Sequence, residues 1–179
     1  GEIRVQSTLD EGSTFEIRLP LIALSDDDHD EDTGTRQLGA NARGNRLQGV
    51  SVLAAEDNEV NRMVLEELLR LEGAELTLAT NGREAVDRVM QAPPGTFDVV
   101  LMDVHMPEMD GYEATRLIKS YIPTLPIIGL TAHATWTERE RCLKAGMVEH
   151  IAKPPDLERL LSCIQRQVGR TASTVEHPL

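Results

Sequence analysis

Val99-Val100-Leu101-Met102-Asp103-Val104-His105-Met106-Pro107-Glu108-Met109-Asp110-Gly111 is the stretch whose reading decides the fold. The apolar run from Val99 to Met102 reads as a strand buried on both faces, and it stops at a carboxylate followed by a Pro and Gly turn. Asp103 therefore stands at the carboxyl end of a strand, the edge at which open parallel α/β sheets bind their ligands. Three further apolar runs end in the same way. Val50-Ser51-Val52-Leu53-Ala54-Ala55 stops at Glu56-Asp57-Asn58, Pro126-Ile127-Ile128-Gly129-Leu130 at Thr131-Ala132, and Val148-Glu149-His150-Ile151-Ala152 at Lys153-Pro154. If all four are parallel strands of one sheet, three carboxylates, a hydroxyl and an ammonium meet at one edge, which is a reaction centre in outline.

Between these runs the period changes. Val60, Met63, Val64, Leu68 and Leu71 recur at helical spacing, with Asn58 as a cap and Gly73 as a stop. Glu75 to Thr80 suits a short strand and Asn81-Gly82 a turn, before a second helix presents Ala85, Val86 and Val89 and ends at Pro93-Pro94-Gly95. A third helix runs from about Tyr112 to Ser120, a fourth carries Arg139, Arg141 and Lys144 up to Gly146, and a last one is marked by Leu157, Leu160, Leu161 and Ile164. Strand and helix thus alternate five times. The expectation is an α/β, flavodoxin-like, doubly wound five-stranded parallel sheet in the order 2-1-3-4-5, with helices on both faces.

The 179 residues accommodate one domain of ordinary size with additional segments. Aromatics make up only 3% against 40% hydrophobic residues, so the core must be aliphatic. A formal charge of −12 argues against unassisted nucleic-acid binding and suits a basic partner or divalent cations. Cys142 and Cys163 lack metal-ligand spacing and fall on apolar helix positions, as reduced packing residues of a cytoplasmic protein do. No apolar run is long enough to span a membrane, so no membrane contact by this piece is expected; an anchor elsewhere in a longer parent stays open.

Residues 1–20 alternate as a hairpin, with Ile3 and Val5, then Phe15, Ile17 and Leu19, around a turn at Leu9-Asp10-Glu11-Gly12-Ser13. Residues 21–48 lose all periodicity. They include Asp26-Asp27-Asp28-His29-Asp30-Glu31-Asp32, a self-repelling acid run, and then a Gly-punctuated stretch, so they read as a linker to a domain over 49–169. Residues 170–179 carry no pattern and read as a disordered tail.

The acid pair Glu56-Asp57, the Asp103 before Met-Pro-x-Met-Asp-Gly, the Leu130-Thr131-Ala132 and the Ala152-Lys153-Pro154 together resemble the response-regulator receiver domain. Gly1-x-Ile3-x-Val5-x-Ser7 and Gly12-Ser13-Thr14-Phe15-x-Ile17-x-Leu19-Pro20 resemble the closing strands of the histidine-kinase ATP-binding domain, without its nucleotide-binding boxes. The two resemblances imply a receiver cut from a hybrid sensor histidine kinase, with no ATP site on this piece.

Three clustered carboxylates repel one another. At about 4 Å a pair costs roughly 1 kcal/mol in water and roughly 4 kcal/mol at an effective dielectric of 20. A divalent cation removes that penalty, and hard oxygen ligands with room for water favour Mg²⁺. The resemblance implies that Asp57, Asp103 and the backbone carbonyl of His105 hold the ion, with Glu56 acting through water. It implies that Asp103 is the phosphoacceptor, that Lys153 and Thr131 contact phosphoryl oxygens, and that Thr131 and His150 form the switch. It also implies that a partner docks on the first helix through Val60, Asn61, Val64 and Leu65. The expected partners are a histidine-kinase phosphodonor domain and a histidine phosphotransfer domain. His105 and His133 flank the expected water path to the phosphoryl group, and Pro155 after Lys153-Pro154 departs from the family pattern.

Two other readings compete. An aspartyl-nucleophile phosphatase also combines Asp, Thr, Lys and Mg²⁺, but that class places a second Asp two residues after the nucleophile, where this chain has His105. A phosphorylation-independent binding module is the other, and the intact acid pair with Lys153 counts against it. A self-phosphorylating receiver rather than a turnover enzyme is the expectation, and with no DNA-binding helices after Leu157–Val168 it is not expected to be a transcription factor in its own right.

Overall fold

The computed structural model describes residues 2–8, 12–18, 45–132 and 135–172. The chain divides into two units, Gly1–Leu38 and Gly39–Leu179. The acid run at Asp26–Asp32, His133 and residues 173–179 lie outside the described residues.

In the first unit, β1 (Glu2–Thr8) pairs antiparallel with β2 (Gly12–Arg18), Val5 opposite Phe15. The alternation foretold this hairpin. The second unit contains β3 (Ser51–Ala55), α1 (Glu59–Leu71), β4 (Glu75–Ala79), α2 (Gly82–Gln91), β5 (Val99–Asp103), α3 (Gly111–Tyr121), β6 (Ile127–Thr131), α4 (Trp136–Ala145), β7 (Glu149–Ala152) and α5 (Leu157–Ala172). Its five strands are all parallel in the order β4-β3-β5-β6-β7, the expected 2-1-3-4-5.

Alternate residues of each central strand feed two separate cores. Leu53, Val100, Met102 and Ile127 pack with α2, α3 and α4 on one face. Val52, Val99, Leu101 and Ile128 pack with α1 and α5 on the other. This two-sided burial is why β5 reads as an unbroken apolar run. Gly129 faces α4, where a Cβ would come within 2.6 Å of Met147 Sδ, so the strand approaches its covering layer closely there.

Several boundaries and faces differ from expectation. The inward residues of α1 are Leu65 and Leu69, whereas Val60, Met63, Val64 and Leu71 are exposed. Val60 and Val64 thus lie on the outer face expected of them, whereas Leu65, expected on the same face, is turned inward. The domain also begins before residue 49. Leu47 is fully buried, its N–H donates to Glu72 O at 2.8 Å, and Arg46 reaches Glu72 at the end of α1 and Glu158 at the start of α5. Asn81 is a helix cap rather than part of a free turn, its side chain accepting from Glu84 N–H at 2.8 Å. At the far end α5 continues past 169 to Ala172.

Two contacts brace α3. Its first residue, Gly111, donates to Val104 O at 3.1 Å, and a Cβ there would collide with the Asp103 carbonyl and with Val104 Cα. One position on, Tyr112 OH donates to Glu138 Oε2 at 2.6 Å, while Arg141 lies 4.6 Å over the Tyr112 ring and pairs with Glu138 Oε1 at 3.0 Å. The Tyr112 hydrogen bond is the main reason that the Glu138 carboxyl is held below its ordinary range.

Gly111→Ala is expected to cost about 3 kcal/mol or to prevent folding, because backbone rather than a side chain blocks the new methyl; urea denaturation measures it. Tyr112→Phe should cost about 1–2 kcal/mol at neutral pH. Because the Glu138 pKa is lower folded than unfolded, that contribution is complete above the ordinary carboxylate range and fades as pH falls through the depressed pKa. Urea titrations of both proteins should therefore converge in acid.

Candidate functional site

All the residues singled out at the strand ends, His133 aside, are found at the carboxyl edge of the sheet. Asp103 is the last residue of β5, Thr131 the last of β6, Glu56 and Asp57 follow β3, and Lys153 follows β7. The strand order puts β3 beside β5, so the topological switch between them opens the crevice into which the acids project.

Glu56, Asp57 and Asp103 each offer a carboxylate oxygen, and these oxygens lie within 4.8 Å of one another. Glu56 and Asp103 are buried and Asp57 is exposed. Lys153 Nζ binds Glu56 Oε2 at 2.5 Å and Asp103 Oδ2 at 2.6 Å, and so bridges the two buried acids. The remaining Asp103 oxygen, Oδ1, accepts from His105 N–H at 3.1 Å. Lys153 N–H donates to Thr131 O at 2.7 Å, which ties the end of β7 to that of β6.

Burial pushes the Asp103 carboxyl above its usual range, and the hydrogen bonds from Lys153 and His105 offset this only in part. For Lys153, burial disfavours the ammonium, but the hydrogen bonds and charges of Asp103 and Glu56 outweigh it, so its pKa is raised. The lysine is thus held charged between two acids that need it. Hard oxygen donors of this number and spacing fit Mg²⁺, whose usual sites combine one or two carboxylates with water or phosphate oxygens.

Sequence reasoning missed the supports of this cluster. Asn61 Nδ2 donates to Glu56 Oε1 at 3.0 Å, so a residue assigned to the outer docking face also holds an acid of the site. Arg62 donates to the carbonyls of Glu56 and Asp57 at 2.9 and 3.2 Å, fixing the loop that carries both. The signal available was the i, i+5 spacing of Glu56 and Asn61 across a capped helix start. His150 is buried at 7% exposure, and its Nδ1 has no hydrogen-bond partner. Of the docking residues, Val60 and Val64 are exposed, whereas Leu65 is 4% exposed and belongs to the core. Its edge lines a groove of about 440 Å³ with Val64, Leu68, Pro154 and Pro155, running from α1 to Lys153.

An open parallel sheet in this order, with an acid cluster, a threonine and a lysine at its carboxyl edge, defines a signalling receiver. The response regulator receiver domain family matches residues 52–165, and the chain belongs to that family. It is 32% identical to the sensor protein EvgS of Escherichia coli (strain K12) over 179 residues, which is 99% of this chain and 14% of that protein. The chain therefore spans about one seventh of that relative's length. Among solved structures, it is 41% identical to the receiver domain of sensor histidine kinase PA1611 from Pseudomonas aeruginosa PAO1, which has a magnesium ion coordinated in its active-site cleft. That match has a TM-score of 0.62 and covers 68% of this chain and 98% of that one. It is 26% identical to a chain of the Saccharomyces cerevisiae complex between histidine phosphotransfer protein Ypd1 and the receiver domain of Ssk1, at a TM-score of 0.65, over 70% of this chain and 93% of that one.

Replacing Lys153 by Met should destabilise the ion-free protein by about 3 kcal/mol, because two buried carboxylates lose their shared cation. Urea denaturation with excess Mg²⁺ should recover part of the loss, and no recovery would show that the acids do not bind the ion.

Proposed function

We propose that this receiver is the phosphoacceptor of a phosphorelay within a hybrid sensor histidine kinase, with Asp103 as the residue modified. The observation that carries the proposal is the placement of Asp103, buried at the end of β5, hydrogen-bonded by Lys153 and grouped with Glu56 and Asp57. An Asp103 carboxylate oxygen attacks the phosphorus of a phosphohistidine, the P–N bond breaks, the imidazole leaves, and an acyl phosphate forms. Mg²⁺ held by Asp57, Asp103 and the His105 carbonyl, with Glu56 acting through water, supplies charge neutralisation when bound. Lys153 and Thr131 take the phosphoryl oxygens, and the ammonium that spans two carboxylates in the unmodified protein turns to the new dianion. Thr131 and the buried His150 form the switch.

A histidine phosphotransfer domain is the onward acceptor. It docks on the exposed Val60 and Val64 of α1 and in the adjoining groove, with Asn61 at the boundary between the docking surface and the acids. The likeness to a receiver solved with Ypd1 supports this reading. Alignment with EvgS over nearly the whole chain supports a parent of the same kind, in which the N-terminal hairpin closes the kinase domain and a linker leads to the receiver. Among the described residues no helix is long and apolar enough to cross a membrane, and a cytoplasmic setting is proposed for this part.

Intact-mass spectrometry after incubation with acetyl phosphate and Mg²⁺ tests the assignment. The protein should gain one phosphoryl group that hydroxylamine removes, and Asp103→Asn should gain none. If a cognate phosphohistidine donor also leaves the mass unchanged, a phosphorylation-independent module replaces this reading.

A further inference from the structure

The first turn of α1 engages three oxygens of the loop that carries the acid pair. Asn61 Nδ2 donates to Glu56 Oε1 at 3.0 Å, and Arg62 donates to the carbonyl oxygens of Glu56 and Asp57 at 2.9 and 3.2 Å. The other carboxylate oxygen of Glu56, Oε2, lies 2.5 Å from Lys153 Nζ. Glu56 is 2% exposed and has both oxygens engaged. Arg62 forms no ion pair among the described residues, so its guanidinium serves the two carbonyls instead of a carboxylate.

This pattern bears on which ion the crevice accepts. Mg²⁺ takes roughly six oxygens in a tight octahedron, keeps several of its waters and is usually bound through one or two carboxylates. Ca²⁺ takes roughly six to eight, commonly including backbone carbonyls and a bidentate carboxylate. A bidentate Glu56 would need Oε1, which Asn61 holds, and the carbonyls of Glu56 and Asp57 are turned to Arg62. Even with Lys153 moved off Oε2, Glu56 has one oxygen to offer. The protein oxygens left for an ion are therefore few, which suits the ion that keeps its waters.

We propose that Asn61 and Arg62 select Mg²⁺ over Ca²⁺ at this site, by withholding Glu56 Oε1 and two carbonyl oxygens from the ion. The proposal rests on the reading of the acid cluster as a metal site. Both are positioning residues, since they act through Glu56 and Asp57 and not on the ion itself. Asn61 is exposed, so its truncation leaves the core untouched.

Isothermal titration calorimetry of the whole chain with MgCl₂ and with CaCl₂ tests it. Asp57→Asn, which removes the exposed acid of the cluster, reports the ions bound elsewhere on the chain. The unsubstituted protein should bind Mg²⁺ at least as tightly as Ca²⁺. In Asn61→Ala the affinity for Mg²⁺ should fall while that for Ca²⁺ rises, so that their ratio drops about tenfold. Arg62→Ala should move the ratio the same way. Asn61→Gln, which keeps an amide donor, should hold the original preference. Far-UV circular dichroism of each variant checks the fold, and a merely loosened site would weaken both ions together. An unchanged ratio in both alanine variants, both ions weakened alike, or a glutamine variant no better than the alanine one overturns the proposal. So does a preference of the unsubstituted protein for Ca²⁺. Absence of any Asp57-dependent binding of either ion overturns the metal site itself, and the selection with it.

Discussion

The ammonium of Lys153, held between Glu56 and Asp103, is the contact on which the rest of the receiver depends. Both carboxylates are buried, and leaving either without a cation would be costly. Satisfying them requires the ends of β3, β5 and β7 to be in register. That in turn requires β6 between β5 and β7, and helices covering both faces of all of them. The sheet is in this sense a frame for one charge arrangement, and the aliphatic cores keep that frame stiff.

The same arrangement explains how the site is poised. The lysine neutralises both buried acids at once, and burial of the three groups together makes that neutralisation costly to remove. Asn61 and Arg62 hold the loop carrying Glu56 and Asp57 through hydrogen bonds to a Glu56 carboxylate oxygen and to both backbone carbonyls, and both belong to α1. Helix α1 and the loop that gathers the acids are therefore one mechanical piece.

Much of this was legible in the chain itself. Strands buried on both faces show as unbroken apolar runs, and a polar residue closing each run marks the functional edge, so Asp103, Thr131 and Lys153 could be placed without coordinates. The edge of the outer face of α1 was not legible, because the exposed Val60, Met63, Val64 and Leu71 repeat with the same period as the buried Leu65 and Leu69, and Leu65 was placed with the wrong set. Periodicity reports a face, not which side of it is wet. The Glu56 to Asn61 bond escaped notice because pattern reading assigns each residue to one role, and Asn61 has two. The turn before β3 escaped because its single buried residue, Leu47, sits in a polar Gly-containing stretch that resembles a connector.

That turn bears on how such domains are exchanged between proteins. Leu47 closes the core under α1 and α5, and Arg46 joins the ends of those helices through Glu72 and Glu158. A recombination junction at Ser51, where β3 starts, would transplant a sheet without its plug and with two acids deprived of their arginine. The heritable unit is thus longer than the alternating pattern of strands and helices. Junctions that survive selection should fall upstream of Asn45, so the residues entering the domain are carried along with it as part of the module rather than as spacer.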